Sequence, residues 1–325
     1  MAAKRNAETR AGVPMTNLDD ALFDGAEATK RDLIDYLEGV AERFLPELDD
    51  RPLSVIRVHR GQEAFMQKNV PKYTPDWVAT VDMWAEASRR EVSYALCNDL
   101  RTLLWFGNQR AVEYHTTLFR AAAPEYPTHL VLDLDPPPSA AEPLAAFRAA
   151  AAAAQLVRTA LTEMGLDGAV KTSGAKGVHV VVPVAPGVTH EAAAAATRAI
   201  AARVERLDPD TTTTAFLKDE RGGKVFVDAT RAGGATVVTV YSPRGRPGTP
   251  VSFPIGWDDL DSAAPGDFTI HTALGLLGSA DRWAAMLPDP QNLPEELVTE
   301  GEAIPTPRVQ AMHEGKRRKR AQRTP

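Results

Sequence analysis

His129-Leu-Val-Leu-Asp-Leu-Asp-Pro-Pro-Pro138 is the stretch on which the fold turns. Its alternation reads as a strand, with Leu130, Leu132 and Leu134 aimed into a core and Asp133 and Asp135 sharing the opposite face. Three prolines then stop the strand, so the two carboxylates sit at a lip. Like charges held side by side repel and raise each other's pKa unless a cation lies between them. Such a pair suits a divalent metal, and a divalent metal suggests phosphoryl chemistry.

Working outward, an alanine-rich helix is expected over 141–164, closed by Gly165, with Leu144, Phe147, Val157, Leu161 and Met164 as its apolar stripe. The alanine runs at 149–154 and 192–196 read as helix filler. Strand 169–172 leads through Ser173-Gly-Ala-Lys-Gly177 to strand 178–184, and a second helix covers 190–206. Strands 224–230 and 235–241 follow, with Gly233-Gly234 as their turn, and a closing helix covers 271–286. Upstream, residues 1–15 read as a disordered arm. Thr29 caps a helix over 30–48, and 53–59 alternates like a strand. Residues 60–75 form a polar and aromatic loop, 91–96 a strand, and Asn98 caps a helix to about 112. The pattern is α+β with a mixed or antiparallel sheet.

Composition bounds the function. The 325 residues are 44% hydrophobic and 25% charged, enough for one large domain or two small ones. The single cysteine, Cys97, excludes an internal disulfide framework and fits a reducing compartment. No apolar run reaches the ~18 residues of a spanning helix, and the N-terminus lacks a signal-peptide core. The expected location is therefore the cytoplasm, with no membrane partner. A formal charge of −6 requires any nucleic-acid site to be a local basic patch.

Asp228 ends another apolar strand, Val225-Phe-Val-Asp228. Alone it is an ordinary strand-end carboxylate; beside Asp133 and Asp135 it completes a two-metal site. Ser173-Gly-Ala-Lys-Gly-Val-His179 places glycines, a hydroxyl, a lysine and an imidazole where phosphate oxygens could be met. It is not a Walker A loop, and its bland alternative is an ordinary strand connection. A lone His179 on a strand favours a satisfied core histidine. Arg231, and Arg244 with Arg246 in Ser242-Pro-Arg-Gly-Arg-Pro-Gly248, suit a triphosphate clamp or simply a solvated surface. The basic run Lys316–Arg320 serves either phosphate attraction or solubility. A strand ending in Asp-x-Asp also occurs in haloacid-dehalogenase-type phosphatases, but the threonine of that pattern is Pro137 here.

These motifs, in this order, resemble the archaeo-eukaryotic primase superfamily, and most closely the polymerase domain of bacterial ligase D and its stand-alone relatives. Leu132-Asp-Leu-Asp-Pro136, Thr172-Ser-Gly-Ala-Lys-Gly-Val-His179, Val225-Phe-Val-Asp228 and Gly234-Ala-Thr…Tyr241-Ser-Pro-Arg-Gly-Arg-Pro-Gly248 carry the resemblance. It implies a primase-like catalytic core with an RRM-like mixed or antiparallel sheet, packed against an N-terminal α/β subdomain. The expected domain spans 16–297, with an N-terminal subdomain at 16–125, the catalytic sheet at 126–260, closing helices at 261–297 and a basic polar tail at 298–325.

The resemblance also implies roles. Asp133, Asp135 and Asp228 match metal ligands for two ions, Mn²⁺ or Mg²⁺. His115, Ser173, Lys176, Gly177, His179, Arg231 and Arg244 match the surroundings of the incoming nucleotide. Asn17, Lys30, Arg57, Phe65, Met66 and Lys68 fall to DNA. Relatives carry two adjacent aromatics against the template where this chain has Phe65-Met66, so one stacking surface, worth ~1–3 kcal/mol per base, is lost. Relatives hold a 5′-phosphate with an asparagine and two lysines; Asn17 and Lys30 match, but Asp20 replaces the first lysine. The expected function is a nucleotidyltransferase that extends primers with NTPs or dNTPs across short gaps or paired DNA ends in repair, favouring ribonucleotides. A DNA-end-binding protein and a separate DNA ligase are its expected partners, and bacterial, nucleoid-associated cytoplasm its setting. A de novo primase and an end-binding scaffold with secondary catalysis are the alternatives.

Overall fold

The computed structural model describes residues 8–306 apart from residue 60 and residues 86–89, 138–141 and 234–235. A hairpin of β1 (Thr9–Arg10) and β2 (Val13–Pro14) precedes helix α1 (Lys30–Leu48). Strands β3 (Pro52–Arg57), β4 (Phe65–Gln67), β5 (Thr80–Ala85) and β6 (Arg90–Leu96) lead to α2 (Leu100–Asn108) and β7 (Ala111–Thr116). The central stretch forms β8 (His129–Asp135), α3 (Pro143–Glu163), β9 (Ala169–Thr172), β10 (Val178–Pro183), α4 (His190–Leu207), β11 (Thr212–Thr213) and β12 (Val225–Asp228). β13 (Val237–Val238), β14 (Pro254–Ile255), α5 (Ala273–Leu277), α6 (Arg282–Met286) and α7 (Glu295–Glu302) complete it.

The strands make two six-stranded sheets. The first runs β11-β12-β8-β10-β9-β14 and is antiparallel except for β11 beside β12. The second runs β13-β7-β3-β6-β5, with β4 added on β3. The expected α+β class with mixed or antiparallel sheets is what the chain adopts. Leucine alternation on β8 makes the first sheet two-faced: Leu130, Leu132 and Leu134 pack under α3 and α4 with Phe147, Val157 and Ile200. Val131 and Val181 face the other way and share a core with Phe44 of α1 and Tyr114 of β7.

The alanine runs form part of that core. Ala150, Ala151, Ala153 and Ala154 of α3 and Ala195, Ala196 and Ala199 of α4 are buried, because small side chains let the helices approach closely. A Cβ on Gly301 of α7 would lie 1.8 Å from the Ala195 carbonyl oxygen, so only glycine admits α7 against α4.

Helix α1 forms where expected. Thr29 accepts from Asp32 N, and Asp32 accepts from Thr29 N at 2.7 Å, a capping box worth about 1 kcal/mol. Elsewhere the structure corrects the reading. Asp99, not Asn98, caps α2, accepting from Thr102 N at 2.8 Å; Asn98 instead accepts from Asp50 N. That helix stops at Asn108 because Arg110, at φ +60°, turns the chain back into β7. The 224–230 and 235–241 strands are no hairpin: β12 pairs with β8 and β11, whereas β13 crosses to pair with β7. Gly234 lies outside the described residues.

The single closing helix is two short ones, broken at Gly278 with φ +63°. Part of the expected disordered arm is ordered, since Val13 and Met15 are buried and Arg10 binds Asp35 and Glu38 of α1. Residues 1–7 lie outside the described residues. The expected tail begins inside α7, which buries Leu297 and pairs Glu300 with Arg203 and Arg206; the Lys316–Arg320 run is not among the described residues. Among those that are, no helix is long and apolar enough to cross a membrane.

Candidate active site

Strands β12, β8 and β10 lie side by side, and Asp133 is the cross-strand partner of both Asp228 and His179. Asp135, two residues on, shares the face of Asp133. One oxygen from each of Asp133, Asp135 and Asp228 lies within 4.8 Å of the others. Asp133 and Asp228 are buried and Asp135 is half-buried. Burial, then repulsion from Asp133 and Asp228, pushes the Asp135 carboxyl up to about 6. At Asp133 burial also opposes ionisation, but His179 and Arg231 outweigh it and hold the group well below the usual carboxylate range.

Arg231, in the single turn after β12, lays its guanidinium across the carboxylates. Its Nη2 is 2.8 Å from Asp133 Oδ2 and 3.3 Å from Asp228 Oδ2. An arginine stands in here for a cation. An all-oxygen donor set that draws one in, with Asp135 still under repulsion, fits a hard divalent ion.

His179 bridges the site to a buried lysine. Its Nε2 is 3.2 Å from Asp133 Oδ1 and its Nδ1 is 3.0 Å from Lys171 Nζ. Lys171 also donates to Val238 O and to Ser252 Oγ at 2.7 Å. The ionised Asp133 carboxylate can only accept, so Nε2–H points at it, and in a neutral ring Nδ1 then accepts from Lys171. Burial, reinforced by Lys171, pulls His179 down to about 4, so the ring is neutral at pH 7. His179 is thus both a satisfied core histidine and a member of the site. Burial and Arg244 pull Lys171 itself down to about 7. A lysine inside the apolar strand Ala169–Thr172 was a visible anomaly that the sequence reading passed over.

The Ser173–Gly177 loop closes on itself: Ser173 Oγ accepts from Ala175 N at 3.2 Å and Gly177 N at 3.1 Å. A Cβ on Gly177 would sit 2.4 Å from Leu134 O, so the loop lies directly against the aspartate strand. Gly174, at φ +67°, leaves room for Arg244. Lys176 is exposed. Arg244 donates to Ser173 O, and its Nε lies 3.0 Å from Glu113 Oε2. Glu113 Oε2 also meets His115 Nε2 at 2.9 Å. Burial disfavours the Glu113 anion, yet His115 and Arg244 bring it down to about 2. Glu113, which sequence reasoning missed, therefore ties β7 and His115 to the loop; its signal was a carboxylate two residues before His115, on the same strand face.

The residues assigned to DNA divide. Phe65, Met66 and Lys68 are exposed on and after β4. His59, not anticipated, stacks on Phe65 with centroids 5.7 Å apart and planes at 15°. Arg57 is buried, holding Gln109 O, Gln67 and Tyr73, and acts as a brace for that surface. Asn17 is exposed at φ +52°, while Lys30 is buried with Nζ on Thr16 O. Burial and Arg110 pull Lys30 down to about 8. Asp20 carries an unforeseen partner, Arg110 Nη2 at 3.3 Å.

With this geometry in place, likeness to known proteins becomes informative. The family described as LigD, primase-polymerase domain, matches residues 29–283. The chain is 34% identical over 264 residues to the bifunctional non-homologous end joining protein LigD of Bacillus subtilis (strain 168), covering 80% of this chain and 41% of that protein. It is 32% identical over 263 residues to the multifunctional non-homologous end joining DNA repair protein LigD of Mycobacterium tuberculosis (strain ATCC 25618 / H37Rv), covering 78% of this chain and 34% of that one. It thus spans well under half the length of either relative. A solved structure, the polymerase domain from Mycobacterium tuberculosis ligase D in complex with DNA, superposes with a TM-score of 0.75 at 29% identity, over 86% of this chain and 100% of that one.

Proposed function

This chain belongs to the LigD primase-polymerase domain family, whose members are nucleotidyltransferases, and we propose that it extends a primer 3′-OH across short gaps or paired ends during non-homologous end joining. The observation that carries the reading is the convergence of Asp133, Asp135 and Asp228 within 4.8 Å beside the Ser173–Gly177 loop. Its substrates are gapped or end-paired DNA and NTPs or dNTPs, with ribonucleotides preferred, and a DNA-end-binding protein and a DNA ligase act beside it. The DNA-bound relative supports the DNA part.

Asp133, Asp135 and Asp228 would hold two divalent ions, Mn²⁺ or Mg²⁺, which when bound supply activation of the 3′-OH and neutralise charge on the triphosphate. Through Lys171, His179 keeps Nε2–H on Asp133 Oδ1 and turns the other carboxylate oxygen, now held by Arg231, towards the site. Arg231 leaves the carboxylates and, with Lys176 and the tethered Arg244, orients the triphosphate. Phe65, His59 and Met66 receive the template, the His59 ring restoring part of the stacking surface lost at Met66. Near the N-terminus, Arg110 covers the charge of Asp20 and, with the exposed Asn17, would meet a 5′-phosphate, while the buried Lys30 holds Thr16 O.

The test is primer extension on a gapped duplex, with and without a downstream 5′-phosphate, comparing rNTP with dNTP and Mn²⁺ with Mg²⁺. Extension that survives Asp133→Ala combined with Asp135→Ala refutes the site.

A further inference from the structure

We propose that the space between the two sheets, on the carboxylate face of the first sheet but at the opposite end of β8, is a binding site for a small oxyanion. A cavity of about 190 Å³ lies there, walled by the end of α1, the start of β8, the end of β10, β13 and α6. Arg51, Arg120, His129 and Lys171 line it, against one carboxylate, Glu47. Its volume is below the ~300–1,000 Å³ typical of sites for drug-sized ligands, so it suits an occupant of a few heavy atoms.

Two buried groups there are short of acceptors. Arg51 is 6% exposed, yet it donates only to neutral oxygens, Thr117 O at 3.3 Å and Thr128 Oγ1 at 2.7 Å. Burial together with Arg120 pulls Arg51 down to about 10; the anion that opposes it most is Glu47, whose own carboxyl burial pushes up, so one disfavoured carboxylate in the cavity wall faces two guanidiniums. Trp283 is 2% exposed; its Nε1–H lies near Glu47 without completing a hydrogen bond. Unpaired buried donors are rare and commonly mark a missing ligand. An oxyanion meets both needs, accepting from the indole and opposing the arginines. Orthophosphate and pyrophosphate, the by-product of nucleotidyl transfer, share the required chemistry.

Each is titrated separately into the full chain without divalent metal or nucleotide, following the Trp283 indole N–H resonance, which Trp283→Phe identifies. The expected result is a saturable shift with at least one probe, half-complete at about millimolar concentration or below. The probe that saturates first names the source. Arg120 is 39% exposed in its side chain, so Arg120→Gln removes charge without emptying the core, and it should weaken saturation roughly five-fold. Lys176→Gln, on the nucleotide loop, should leave the shift unchanged. An unmoved Trp283 resonance overturns the site, as does a shift that Lys176→Gln abolishes and Arg120→Gln leaves intact.

Discussion

Arg231 donates twice to one oxygen of Asp133, from Nε at 3.2 Å and from Nη2 at 2.8 Å. The same guanidinium reaches Asp228, so a side chain of the chain itself occupies the convergence of the three carboxylates. Any metal must compete with it.

Arg231→Gln is therefore expected to bind Mn²⁺ more tightly in the absence of nucleotide, by roughly tenfold, or about 1.4 kcal/mol. The same substitution should slow primer extension, because the proposed triphosphate contact is lost. Calorimetric Mn²⁺ titration decides it: unchanged affinity removes Arg231 from the role of competitor.

The triad also sets a pH dependence. Between about 4, where an unfolded aspartate ionises, and about 6, where Asp135 does so in the fold, the folded chain keeps a proton that the unfolded chain has released. Metal-free stability should fall as pH rises through that window and stay lowered above it. Asp133 works the other way, stabilising above about pH 4 and losing that contribution as pH falls further. Asp135→Asn should then be more stable at pH 7 by about 1–2 kcal/mol after allowing for solvent screening. Urea unfolding in the presence of a chelator measures both effects, and a flat profile between pH 4 and 6 contradicts the assignment.

Gly177→Ala places a Cβ 2.4 Å from Leu134 O, a backbone atom between the two aspartates of β8. The strand or the loop must move, at a cost of roughly 1–3 kcal/mol. Extension should fall more steeply than stability, because the displaced strand carries the proposed metal ligands. A variant that unfolds at the same urea concentration as the parent would show that the loop yields freely.

Arg110 and Asp20 govern the proposed 5′-phosphate surface. Asp20→Asn should improve binding to a phosphorylated gapped duplex a few-fold over its 5′-hydroxyl counterpart, and Arg110→Gln should reduce it, since exposed pairs of this kind are worth ~0.2–1 kcal/mol. Fluorescence anisotropy with the two duplexes reads the ratio. Indifference to the phosphate in all three proteins would remove these residues from DNA-end recognition.

Elements whose signal is local were legible. Thr29 announced the start of α1, and alternation over 130–135 set the faces of β8, because capping and strand periodicity depend on residues a few positions apart. Elements decided by distant partners were not. β5 was missed, and β13 was placed beside β12, although its partner is β7, 121 to 123 residues earlier in the register Val237–Thr116 and Val238–His115. Gly278 reads as tolerable inside a helix until its φ of +63° ends α5.

The candidate site divides along the same line. The chain's own order of residues determined that Asp133 and Asp135 share a face, that Asp228 ends an apolar strand, and that glycines flank Lys176, since these follow from period and residue type. Only the tertiary structure decided that Asp228 lies beside Asp133, that Lys171 fixes the His179 ring, that Glu113 holds Arg244, and that Arg231 covers the triad. Each of these joins elements through strand pairing or packing, and a charged group's role depends on which charges the fold brings within a few ångströms of it.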